Sequence, residues 1–139
     1  MAQHLWTVLC TNSSIDQTTN NVSLFGVVEQ LQIGGGAPTD QRIIIPAQFQ
    51  LVILWMRSNL DQPEMATARF SLQSPNGEVS PGGEVQVELS TAIRSRNVIT
   101  INGLPVNGPG VYKFITEIRG LDEQEWTRVH ELPVQIIFS

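Results

Sequence analysis

Few side chains in this chain could do chemistry. There are two histidines, His4 and His130, and one cysteine, Cys10. Neither histidine has another histidine or a cysteine at the spacing that metal sites use. Cys10 would need a histidine beside it to act as a nucleophile. His4 is on the same strand pattern, about 20 Å away when extended, and His130 would have to be brought in by folding. Otherwise Cys10 reads as a small buried hydrophobe. Asp122, Glu123 and Glu125 cluster in a turn. With Asp16, Asp40 and Asp61 from other loops they offer the oxygen ligands calcium uses, without a recognisable spacing. No carboxylate pair is singled out for glycosidic chemistry. Of three tryptophans, Trp55 lies in an apolar run and reads as core, while Trp126, beside the acidic turn, is the candidate exposed aromatic of the kind enriched at interface hot spots. No catalytic, metal-ligating or cofactor-binding set emerges, so the expectation is a non-enzymatic protein without a cofactor.

Composition narrows the partners. Only 15% of the 139 residues are charged, where about 25% is usual, and polarity comes instead from Gln, Asn, Ser and Thr. So thin a charge resists self-association weakly, and a homo-oligomer or a partner-covered face is expected. The net charge of −5 and pI near 4.9 argue against nucleic acid, which demands a basic stripe. Arg94 and Arg96, read as a loop pair, come nearest to one. A lone cysteine excludes an intrachain disulfide. The opening MAQHLWTVLC lacks the pattern of a signal peptide, and no apolar run is long enough for a membrane helix. The cytoplasm is the expected compartment.

The elements that would position these residues are strands. His4 to Cys10 alternates, and a polar loop comes next over Thr11 to Asn21. Val22 to Ile33 is a long strand pattern with Gly26 in its middle; its apolar face changes sides there, which points to a bulge. Gly34 to Asp40 reads as a solvent-exposed connection. A phosphate loop would need Lys-Ser/Thr and a helix after it, whereas this chain continues into Ile43-Ile44-Ile45-Pro46. Gln48 to Arg57 is apolar on both faces. Phe49, Leu51, Ile53 and Trp55 form one side; on the other, Val52, Leu54 and Met56 must be covered by a partner or by a loop of the same chain. These three and Trp126 are the candidate interface residues.

Thr67 to Gln73 alternates, Asn76-Gly77 signals a hairpin, and Val85, Val87 and Leu89 face inward beyond the Pro81-Gly82-Gly83 turn. Val98 to Ile101 is a short strand. Tyr112, Phe114, Thr116 and Ile118 share one face of the next, and Glu125 to Phe138 is the last, with Pro133 marking an edge or a bulge. About eight strands and no amphipathic helix predict an all-β chain, a single antiparallel β-sandwich domain over residues 1–139 of immunoglobulin-like or Greek-key type.

Several stretches carry a resemblance. Gly110 two residues before Tyr112 resembles the tyrosine corner of immunoglobulin-like sandwiches. Leu9-Cys10, then Asn21-Val22-Ser23-Leu24-Phe25-Gly26-Val27-Val28, is similar to the opening of a family of small, uncharacterised bacterial β-sandwich proteins. Phe70-Ser71-Leu72 through Ser74-Pro75-Asn76-Gly77 and Gly110-Val111-Tyr112-Lys113-Phe114 resemble its later strands. Where that family tends to carry an acidic and then a basic residue after the cysteine, this chain has Thr11-Asn12-Ser13. The resemblance implies a fold and no activity. The functional expectation is an interaction or structural module that self-associates or binds a protein; the alternative is a module binding calcium or carbohydrate at its loop ends.

Overall fold

The computed structural model describes residues 1–36 and 42–139; Asp40 and most of the expected connection around it lie outside the described residues. Nine strands form two sheets: β1 (Gln3–Ile15), β2 (Val22–Val27), β3 (Gln30–Ile33), β4 (Ile43–Met56), β5 (Glu64–Gln73), β6 (Val79–Leu89), β7 (Arg94–Val106), β8 (Gly110–Gly120) and β9 (Thr127–Phe138). One sheet has four strands in the order β2-β1-β4-β7, the other five in the order β3-β9-β8-β5-β6. Pairing is antiparallel except between β3 and β9. The described residues contain no helix, and none therefore long and apolar enough to cross a membrane. The result is an all-β, sandwich-like domain.

The core follows from strand periodicity. Alternate residues of β4 (Leu51, Ile53, Trp55) point inward with those of β5 (Ala66, Ala68) and β8 (Tyr112, Phe114, Ile118), all but excluded from solvent. Trp55 is fully buried, and its one polar atom is satisfied: Nε1 donates to Asn97 Oδ1 at 2.9 Å. A buried indole N–H without an acceptor would cost about 1–3 kcal/mol. At the foot of β8 the Tyr112 hydroxyl donates to the Gly108 carbonyl at 2.7 Å and accepts from the Asn107 N–H at 2.9 Å. Those bonds pin the turn to the strand it feeds.

The strands differ from expectation in several places, the first being that β1 runs on to Ile15, through the start of the expected polar loop. Val22 to Ile33 is two strands, so there are nine rather than about eight. Gly26 does have a left-handed φ of 62°, and a Cβ there would collide with the Thr11 side chain. The change of apolar side, however, arises at Val28–Glu29, where the chain passes from one sheet to the other. Val28 N–H donates to the Leu9 carbonyl (2.8 Å) in the first sheet, and the Glu29 carbonyl accepts from Gln135 N–H (3.3 Å) in the second. A side change in the pattern has two structural causes, and here the sheet switch dominates.

Pro81-Gly82-Gly83 is no turn but the interior of β6. The register against β5 shifts there, and Gly82 lies so close to the Phe70 carbonyl that a Cβ would come within 2.7 Å of its oxygen. An edge strand tolerates a proline at such a shift. β7 is much longer than Val98 to Ile101. It starts at Arg94, which places both arginines on a strand rather than in a loop, and runs through Gly103 (φ 87°) beside the register shift opposite Pro46. Pro133 lies inside β9, opposite Lys113, just before the stretch that β3 pairs. There β9 has β8 on one side only, which accommodates a residue unable to donate.

Replacing Tyr112 by Phe keeps the buried ring and deletes the hydroxyl. The variant should lose about 1–3 kcal/mol of unfolding free energy, read from the urea midpoint at unchanged m-value; an unshifted midpoint would show that the turn holds itself.

Candidate functional site

The outer face of the four-stranded sheet carries a cavity. Three rows of side chains cross this face. Val8, Val52 and Val98 lie side by side on β1, β4 and β7; the next row is Trp6, Leu54 and Arg96; beyond it Met56 pairs with Arg94. Val52 is fully buried, so it offers no surface to a partner. Leu54 and Met56 are half-buried. The chain supplies its own cover here, since the turn between β1 and β2 reaches back over the sheet.

That turn is built by Asp16. Its carboxylate accepts the N–H groups of Thr18 (2.8 Å) and Thr19 (2.9 Å), its carbonyl accepts Asn20 N–H (2.8 Å), and its own N–H donates to the Asn21 carbonyl (2.9 Å). The Thr19 and Thr18 bonds hold the Asp16 carboxyl below its ordinary range. Asn20 takes a left-handed φ of 60°, which asparagine tolerates better than most residues, and its carbonyl accepts Arg96 Nη2 at 2.8 Å. Turn and sheet are thus joined by an arginine, and a cavity of about 500 Å³ remains between them. Its apolar floor includes Leu54 and Trp6, and Asn20, Arg94 and Arg96 supply polar groups. The Arg96 Nε–H is buried and meets no acceptor among the described residues. No carboxylate of those residues pairs with Arg94 or Arg96. Among sequence signals, the alternation Arg94–Arg96–Val98 could have revealed this place, had the strand been recognised as reaching back to Arg94.

The two histidines meet at one end of the interior. His4 of β1 and His130 of β9 stack with ring centroids 4.6 Å apart, and His4 also meets Trp55 edge-on at 5.6 Å. His4 Nε2 is bonded to Thr7 Oγ1 at 2.6 Å. Burial, and secondarily the charge His130 would carry, push the His4 pKa down to about 4. Their separation in sequence conceals this pair. Cys10 lies elsewhere, fully buried and opposite Gln50, and burial raises its thiol pKa. A buried thiol that resists ionisation is a poor nucleophile.

Trp126 precedes β9 and is half-buried. The guanidinium carbons of Arg69 and Arg119 sit over its ring at 4.4 and 4.5 Å, and Arg69 is paired with Glu117 at 3.0 Å. The indole is engaged by its own chain rather than presented as a bare platform. In the acidic turn Glu123 accepts the Gly120 N–H at 3.4 Å, closing the hairpin. Among the described residues no three His, Cys, Asp or Glu side chains converge on a point where a metal could be held.

No protein-family model matches the chain, and no curated protein matches it. Among solved structures it is similar to the N-terminal domain of PorA, at 11% identity and a TM-score of 0.31, over 96% of this chain and 97% of that one. A likeness at that level carries no argument about function.

The histidine pair gives a pH dependence. The His4 pKa is lower in the folded than in the unfolded chain, so the unfolded state binds more protons between pH 6.5 and about 4. Stability should therefore fall as pH drops through that window. The loss is about 1–2 kcal/mol once solvent screening of a half-exposed group is allowed for. Urea unfolding of the wild type and of His4→Gln should diverge there, the variant showing the flatter profile; parallel profiles would place the titration elsewhere.

Proposed function

We propose that the protein is a non-enzymatic interaction module that self-associates through the free edge of β2. The observation supporting this is the makeup of that edge compared with the other three. An unpaired strand edge invites another strand, and proteins usually blunt it with charge, proline or brevity. β6 carries Glu84, Glu88 and Pro81. β7 opens with Arg94 and Arg96, and β3 is four residues long. β2, with the sequence VSLFGV, has no charge and no proline, and Phe25 and Val27 are 53% and 54% exposed. Pairing of two β2 strands about a two-fold axis would join two four-stranded sheets into one and cover both aromatic rings. A low surface charge favours such pairing. Within this reading Leu54 and Met56 lie on β4, two strands in from that edge, and Val52, fully buried, contributes stability alone.

The same proposal takes the fold as an immunoglobulin-type Greek key. The Tyr112 bond to a carbonyl four residues upstream and the parallel docking of β3 beside β9 support that assignment, and the motifs shared with small bacterial sandwiches suggest kin. The cytoplasm is the proposed compartment, consistent with a single cysteine.

A second reading, a ligand-binding module, is favoured by the cavity beneath the β1–β2 turn. Of its two forms, carbohydrate suits that cavity better than calcium, because arginines rather than carboxylates line it.

Light scattering across a concentration series should show the mass rising from the 15.4 kDa monomer toward twice that value. Phe25→Lys should weaken the association by about tenfold or more, some 1.4 kcal/mol, with an unchanged thermal midpoint at dilutions where both proteins are monomeric, because Phe25 is exposed and not in the core. A wild type that stays monomeric at every concentration would overturn the proposal.

A further inference from the structure

We infer that the cavity between the β1–β2 turn and the outer face of the four-stranded sheet binds a small carboxylate carried on a ring, as in an acidic sugar. The inference rests on the ligand-binding reading and does not depend on pairing at β2.

Three features of the cavity converge on that chemistry. The first is charge. In a chain of net charge −5, Arg94 and Arg96 face one cavity with no carboxylate partner among the described residues. Two cations side by side repel, and a bound anion relieves that repulsion. The second is the hydrogen-bonding state of Arg96. Nη2 is committed to the Asn20 carbonyl at 2.8 Å, which fixes the guanidinium plane, while the buried Nε–H meets no protein acceptor among the described residues. That Nε–H is closed off from solvent, so the guanidinium meets an anion through its remaining amino N–H groups, for which an anionic oxygen is the strongest acceptor. A guanidinium held in a fixed plane suits a planar carboxylate, which can take parallel N–H bonds.

The third feature is the surface beside the charge. Trp6 and Leu54 provide an apolar wall, and an indole beside polar donors suits the flat, C–H-rich side of a sugar ring. At about 500 Å³ the cavity is in the size range of small-molecule sites, roughly 300–1,000 Å³. A bare inorganic ion would leave the apolar part unused. The cover is also prepared in advance: Asp16 closes the turn by four hydrogen bonds, so little ordering remains to be done on binding.

The test is two-dimensional NMR of the full chain, following the Trp6 indole N–H and the Arg96 Nε–H during titration with glucuronate, glucose and inorganic phosphate. Glucuronate should shift both signals saturably, with affinity at least about tenfold above that of glucose or phosphate. Arg96→Gln and Arg94→Gln should each weaken glucuronate binding by about tenfold, equivalent to some 1.4 kcal/mol. Arg128→Gln, on the other sheet, should leave it unchanged, and the backbone spectrum of each variant reports whether it is folded. Glucose binding as well as glucuronate, insensitive to Arg96→Gln, would keep the ligand-binding reading and overturn the carboxylate. Phosphate binding without glucuronate would likewise overturn it. No response to any of the three would overturn both.

Discussion

The burial of β4 on both faces is the constraint on which the rest of the structure depends. Its inward side chains, from Phe49 to Trp55, fill the space between the sheets. Its outward ones would normally be wet in a two-layer sandwich, yet Val52 is as inaccessible as any core residue. Valines on the strands at either side shield it in plane, and the β1–β2 turn extends over the neighbouring row. Burying a side chain of that size stabilises by about 1.5–3 kcal/mol, a gain an uncovered face would forgo. The long hairpin of β1 and β2 is thus held in place by the sheet it covers, through Arg96 and the Asn20 carbonyl.

That arrangement has three consequences. Covering the sheet from one side leaves a space between turn and strands, and the arginines of β7 line it. Carrying the hairpin outward makes β2 the terminal strand of the sheet, with its far edge open and its aromatic side chain in solvent. Ending β2 at Val27 then sends the chain across to the second sheet as β3, which pairs in parallel with β9 and holds the C-terminal strand. The histidine stack is a separate joint between the sheets, at the end of the interior where β1 approaches β9, and it holds best when His4 is neutral.

Much of the framework is legible in the residues. The two apolar faces of β4, the alternation through Tyr112 and Ile118, and the Asn76-Gly77 turn each have a local cause, so a local pattern identifies them. Signals of long range mislead. A change of apolar side at Gly26 reads equally as a bulge or as a change of sheet, and only the partners of Val28 and Glu29 distinguish them. Pro81-Gly82-Gly83 has turn composition, but a free edge at β6 admits it into a strand. Arg94 and Arg96 read as loop residues because their strand identity comes from pairing with Met56 and Leu54, far away in sequence. The cavity, made by a turn meeting a distant strand, is invisible for the same reason. Trp126 illustrates the limit from the other side: its neighbours in sequence suggest exposure, and two arginines from other strands cover it.

The most direct measurement is amide hydrogen exchange of β2 and β4 as a function of protein concentration. If the hairpin roofs its own sheet and leaves β2 as the edge for a second copy, the amides around Val52 will be protected at every concentration. The outward amides of Val22 to Phe25 will gain protection as concentration rises. Outward β2 amides that exchange freely at all concentrations would contradict the use of that edge. Concentration-dependent protection around Val52 would contradict the self-made roof.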